Sequence, residues 1–358
     1  VNPTRPLAHR LGALFMVGFE GLAPSAEVTR FIRQNGIGGV ILFSRNIEGP
    51  AQCADLTARL RALLPDAPLL MGIDQEGGRV ARLSSPFTVF PPAREFGQRD
   101  QTEWTYRCAQ ACARELAAVG INLNFAPVLD VDTNPANPVI GDRAFGATPA
   151  QVIRHALQVI SGLQDSGVAA CGKHFPGHGD TATDSHKALP YVDHAPARLD
   201  AIELPPFIAA AQAGVAAIMT AHVLYRQWDD QWPASLSEKI VAGLLRGRLG
   251  FDGVVMTDDL EMRGVTDGFS VAEAAVRALE VGSDMVLVCH SLDRQQAALA
   301  AVTRAVSDGR LSESRVAEAA ARVQRLKTRF PPSPASPTDL LAIIGCPDHP
   351  ASTRPISC

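Results

Sequence analysis

No apolar run in this 358-residue chain approaches the ~20 residues that a helical membrane span needs. Positive charge is not in excess either. The formal net charge is −4, and basic residues are scattered, with the densest group, LLRGRLG (244–250), reading as a helix end. Nothing therefore points to a nucleic-acid partner. A paired Cys-x-x-Cys motif is also missing. The seven cysteines, at 53, 108, 112, 171, 289, 346 and 358, are odd in number and irregularly spaced. They argue for a reducing compartment rather than a disulfide framework. Cys108 and Cys112, four apart on a predicted helix, share a face and read as packed thiols. What the chain does have is 46% hydrophobic and 20% charged residues, the balance of a globular protein with a sizeable core.

Short apolar runs recur along the chain at 14–19, 38–43, 69–74, 122–131, 169–175, 216–223, 253–259 and 284–290. They lack strict polar alternation, as strands of a parallel sheet covered on both faces do. Between them lie segments with helical spacing, clearest at 102–120, 150–164, 236–250 and 294–309, the last ending in Gly309 at a C′ position. Eight strand–helix units predict a single (β/α)8 barrel over residues 1–330. PPSPASP (331–337) reads as a stiff linker, and 331–358 as a C-terminal extension too short to be a domain. The N-terminal VNPTRPLAHR–LGALFMVGF has the look of a basic and apolar leader. Without LFMVGF only seven strands would remain, so the barrel requires it as the first strand. Free cysteines and a retained first strand together predict a cytoplasmic protein.

In such a barrel the loops at the C-terminal ends of the strands build the site. Those ends read Glu20, Arg45-Asn46, Asp74-Gln75-Glu76, Asp130-Val131-Asp132, Lys173-His174, His222, Asp258-Asp259 and His290, whereas the strand starts are bland. Singly, such residues often cap the next helix. Converging on one mouth, they predict a polar pocket for a small, hydroxyl-rich ligand. The loop after the fifth run, GKHFPGHGDTATDSH (172–186), carries three histidines and two aspartates. Its spacing does not suit a helix-borne His-x-x-x-His pair, and no metal or cofactor is expected. His174 and His178 also read as histidines bonded to backbone. Asp184 and His186, two apart, fit an acid–base pair in which the carboxylate fixes the imidazole tautomer and raises its basicity.

KHFPGHGDTATDSHKALP (173–190) resembles the signature of glycoside hydrolase family three, and within it the single-domain β-N-acetylhexosaminidases that act on peptidoglycan fragments. ILFSRN (41–46), GIDQEGGRVARL (72–83), NLNFAPVLDV (122–131), NPVIGDRAFG (137–146), IMTAHV (218–223) and VVMTDDLEM (254–262) match in family order, over about residues 11 to 330. The resemblance implies a retaining mechanism. Asp258 would be the nucleophile, and Asp184 with His186 a dyad whose histidine serves as acid and then base. Asp74, Arg82, Arg143, Lys173 and His174 would hold sugar hydroxyls in the −1 subsite. Asp130, His222 and Met262 lie in matching segments without an individual role, and His178 and Asp180 are expected to shape the loop. Lys173 and Arg143 are expected to favour the charged form of Asp258. The partner implied is a small saccharide, bound by a monomer. Two alternatives stand beside this reading. One is a phosphorylase, since a neutral imidazole base would not repel phosphate. The other is a non-catalytic sugar-binding barrel.

Overall fold

The structure is a computed structural model that describes residues 7–185 and 187–350. Eight parallel strands close into a barrel in sequence order: β1 Phe15–Val17, β2 Gly39–Leu42, β3 Leu70–Ile73, β4 Leu123–Asn124, β5 Ala169–Phe175, β6 Ala217–Thr220, β7 Val254–Asp259 and β8 Met285–Val288. Closure is made by β1 against β8, with Phe15 opposite Val286 and Val17 opposite Val288. LFMVGF is thus a barrel strand, wholly buried.

Each strand is apolar on both faces because each face is covered. Met16, Leu70, Leu123, Cys171, Met219, Met256 and Leu287 point into the barrel, where they pack with Phe125. Phe15, Val17, Met71, Val255, Val286 and Val288 point out, under the helices. The alternation is the period of two that a pleated strand imposes. Gly72 is required by this packing, since a Cβ there would lie 2.9 Å from the Phe125 ring.

The covering helices are α1 Ala26–Asn35, α2 Pro50–Ala62, α3 Thr102–Ala118, α4 Pro149–Asp165, α5 Pro205–Gln212, the π-wound α6 Lys239–Arg248, α7 Val271–Glu280 and α8 Leu292–Ser307, followed by α9 Glu313–Arg329. Ser25, Ser270, Ser291 and Ser312 each accept a hydrogen bond from the third residue onward, capping α1, α7, α8 and α9. No helix among the described residues is long and apolar enough to cross a membrane.

Two details differ from the sequence reading. The fourth run was expected to be extended over 122–131, yet only Leu123–Asn124 pair on both sides. Beyond them Ala126 and Pro127 still accept bonds from β5, but Pro127 has no N–H to donate. The segment after Phe330 is also less uniformly helix-averse than its prolines suggest. Pro337 opens a helix, Pro337–Ile343, at the first position, where a missing N–H costs nothing. This extension docks on the barrel through buried Leu340 and through Glu115 of α3, which accepts from Gly345 N–H (2.8 Å). Residues 351–358, Cys358 among them, lie outside the described residues.

The two ends of the barrel are built differently. At the N-terminal end the buried Asp284 gathers Arg246, Arg315 and Arg322, an assembly that joins α6 and α9 to the start of β8. At the C-terminal end the charged groups surround a cavity.

Candidate active site

A cavity of about 540 Å³ opens at the C-terminal mouth, a volume suited to a small organic ligand. Asp74, Arg82, Arg143, Lys173, His174, Asp184 and Asp258 all line it. They come from the ends of β3, β5 and β7 and from the loops that follow β3, β4 and β5. His186, expected as the proton donor, lies outside the described residues.

The floor is an ionic network. Lys173 Nζ lies 2.7 Å from Asp74 Oδ1 and 2.6 Å from Glu76 Oε1. Arg143 donates to Glu76 through Nε (2.9 Å) and Nη2 (2.8 Å), a bidentate geometry. Arg82 Nη2 reaches Asp74 Oδ2 at 3.2 Å. Burial alone would raise the pKa of Glu76, but Lys173 and Arg143 outweigh it and hold the carboxyl well below the usual range. Lys173 is opposed by burial and favoured by Asp74 and Glu76, so its ammonium is held more firmly than usual. The two cations thus direct hydrogen bonds to Asp74 and Glu76. A network of fixed charges on the floor presents oriented donors and acceptors to a polyhydroxylated ligand.

Glu76 was missed as a site residue. The signal was present: Asp74 and Glu76 are two apart at a strand end and fall on one face of an extended chain. Asp130, left without a role, is fully buried and accepts from three donors. These are the backbone N–H of His174 (3.2 Å) and of His178 (2.6 Å), and His174 Nδ1 (2.8 Å). With Nδ1 donating, Nε2 of His174 is the basic nitrogen, and Arg143 Nη2 stands 3.5 Å from it. Asp130→Ala would leave these buried donors unanswered. It is expected to cost about 3 kcal/mol or more of stability, read from the urea midpoint, together with a loss of kcat/KM.

His178 is buried and bonded within the loop, Nδ1 to Thr181 Oγ1 (2.7 Å) and Nε2 to Ser185 Oγ (3.1 Å). Burial first, and then its neighbour His174, push its pKa down to about 4, so it is neutral and structural. Asp180 accepts from Thr133 (2.9 Å) and pairs with His194, tying the loop to its neighbours. Ser185 O accepts from Gly264 N–H at 2.9 Å, which fastens the Asp184 segment to the loop after β7. A Cβ on Gly264 would meet that oxygen at 3.0 Å.

Other strand-end residues are not brought into the cavity. Glu20 pairs with Arg45, Asn46 donates to Phe19 and Gly21 carbonyls, and Asp132 pairs with Arg94. His222 sits behind the wall, Nδ1 at 2.7 Å from Ser235 Oγ and Nε2 at 3.0 Å from Asp259 O, and burial lowers its pKa. Met262 lines the cavity. Among the described residues no group of three or more His, Cys, Asp or Glu is arranged to hold a metal ion.

A polar cavity with several carboxylates, at the loop end of a (β/α)8 barrel, is the arrangement of a barrel enzyme and is suited to acting on carbohydrates. Residues 7–326 match the glycosyl hydrolase family 3 N-terminal domain, and the chain belongs to that family; it is a glycoside hydrolase. A β-hexosaminidase of Thiobacillus denitrificans is 45% identical over 261 residues, 71% of this chain and 72% of that protein. The structure of a family 3 β-N-acetylglucosaminidase from Paenibacillus sp. FPU-7 superposes with a TM-score of 0.91 at 46% identity. That match covers 93% of this chain but 64% of the longer Paenibacillus protein. A β-N-acetylhexosaminidase from Beutenbergia cavernae gives a TM-score of 0.83 at 38% identity, covering 91% of this chain and all of that one.

Proposed function

We propose that the protein is a retaining exo-β-N-acetylglucosaminidase that removes terminal β-linked N-acetylglucosamine from peptidoglycan fragments in the cytoplasm. The observation that carries the proposal is the meeting of Asp258 and Asp184 with the Asp74–Lys173–Arg143–His174 floor in one cavity. Relatives named β-hexosaminidase support the sugar. Asp258 attacks the anomeric carbon from the end of β7. The leaving oxygen takes a proton from His186, which Asp184 orients. Water, deprotonated by the same histidine, then opens the glycosyl-enzyme with overall retention. Asp74, Arg82, Lys173, His174 and Arg143 hold the ring hydroxyls, so the anomeric carbon stays in line with the nucleophile.

Product analysis tests sugar and acceptor together. With paired p-nitrophenyl β-N-acetylglucosaminide and β-glucoside, the first is expected to have the higher kcat/KM by about tenfold or more. In phosphate buffer free N-acetylglucosamine should be the main product. Glycosyl phosphate as the main product would replace the hydrolase by a phosphorylase. Turnover of neither substrate, nor of a muropeptide, would favour a sugar-binding barrel.

A further inference from the structure

The end of β8 contributes a side chain that the mechanism above does not use. His290 lines the cavity, and its ring stacks on Phe43 at the end of β2, centroids 5.4 Å apart and planes 30° from parallel. Its Nε2 stands 3.2 Å from Asp259 Oδ2. Asp259 is in turn joined to its neighbour, donating its N–H to Asp258 Oδ1 at 2.8 Å. The second Asp259 oxygen, Oδ1, accepts from the N–H groups of Glu261 (3.1 Å) and Cys289 (3.2 Å).

This tie sits where the sheet cannot do the same work. Pairing between β7 and β8 is regular at Met256 with Met285, then slips before Asp259 meets Leu287. The irregularity spans Thr257 and Asp258. There Leu287 N–H bonds to the Thr257 side chain (3.1 Å) and Leu287 O to Leu260 N–H (3.0 Å). Such irregularities re-aim a side chain but leave the ladder less able to fix it. The Asp259 carboxylate restores a connection between the two strand ends, and His290 supplies its one ionisable donor among the contacts described.

We propose that His290 is a positioning residue for the nucleophile: braced by Phe43, it clamps Asp259, so that the Asp259 N–H stays on Asp258 and fixes the rotation of its carboxylate. The inference rests on the assignment of Asp258 as nucleophile. The charged groups facing His290 are Asp259 at the end of β7, Glu261 in the loop that follows it and Arg45 from the loop after β2. Arg294 of α8 stands 3.6 Å from Glu261, and Arg82 lies over the same Phe43 ring. The hydrogen bond to Asp259 raises the His290 pKa, burial opposes this, the Asp259 charge adds to it, Arg45 opposes and Glu261 adds. The clamp is therefore charged at low pH. As pH rises past a point above the ordinary histidine value, the imidazole keeps one N–H that can still donate to Asp259 but loses the charge that strengthens the bond, so the clamp weakens.

The test uses 2,4-dinitrophenyl N-acetyl-β-glucosaminide, whose leaving group needs no proton, so that the dyad histidine is silent in kcat/KM. Wild-type kcat/KM is expected to fall on the alkaline side. His290→Phe keeps the stacking surface and loses the donor. It should lower kcat/KM near pH 6 by about tenfold or more and flatten the alkaline limb. His290→Gln restores a non-titrating donor and should recover to within about threefold of wild type, still without that limb. A His290→Phe enzyme with wild-type kcat/KM and an unchanged alkaline limb would overturn the inference. Should that variant not fold, an alkaline limb persisting in His290→Gln overturns it instead. Inactivity of Asp258→Ala alongside either result leaves the nucleophile assignment standing. An active Asp258→Ala points to the failure of that assignment.

Discussion

Asp258→Ala is expected to lower turnover of p-nitrophenyl N-acetyl-β-glucosaminide by roughly ten-thousand-fold while leaving the fold intact. In the proposed two-step mechanism Asp258 forms the covalent bond to the sugar, so its truncation removes the first displacement. Asp258 is partly exposed at the cavity wall and not a core residue, so its truncation leaves the barrel packing of Met256 and Val255 unaltered. The cavity created should admit a small external nucleophile. Added azide is expected to restore part of the rate and to yield the α-glycosyl azide, the inverted product of a single displacement. Turnover at the wild-type rate would show that Asp258 is not the nucleophile.

Glu76→Gln should have the largest effect on stability. The side chain keeps its shape but loses the charge that answers both Lys173 and Arg143, each buried beneath the cavity. Breaking a buried ion pair from one side leaves an uncompensated charge, a loss of about 3–5 kcal/mol. The same residue gives a pH dependence of definite sign. Its pKa in the folded protein lies below the unfolded value, held there by Lys173 and Arg143 against the burial that would raise it. The stabilisation is therefore full above the unfolded carboxyl value of about 4.3 and is lost as pH falls below it. Urea midpoints of wild type and Glu76→Gln, measured between neutral and acid pH, should converge as pH falls. Parallel curves would mean that Glu76 does not carry this stabilisation.

The barrel was legible because closure leaves a plain mark. A strand covered on both faces reads as a short apolar run, and eight such runs appear in chain order. LFMVGF was settled by that count, not by its own composition. Boundaries were less legible, as 122–131 shows, because pairing is decided by neighbouring strands and by Pro127's missing donor. The site was legible as a set of polar strand ends, but not as a wiring diagram. Lys173 meets Asp74 across 99 residues of sequence, and nothing local says which acid answers which base. Hence Glu76 and Asp130 were passed over, although they hold the residues that were named. His290 was noted only as a polar strand end, because its link to Asp258 runs through the backbone of Asp259, a geometry that a sequence does not display. Asp184 and His186 were proposed from their spacing and from the family signature around them; Asp184 lines the cavity, and His186 lies outside the described residues.

The central claim is that the reaction passes through a covalent bond to Asp258. The most direct measurement is to trap that species with a 5-fluoro glycosyl fluoride of N-acetylglucosamine, whose fluorine slows breakdown of the glycosyl-enzyme, and to sequence the labelled peptide by mass spectrometry. The account predicts one sugar per chain, attached within VVMTDDLEM (254–262) at Asp258. A label on any other residue, or a fully active enzyme that turns the reagent over without labelling while the acetamido group closes on the anomeric carbon, would contradict it.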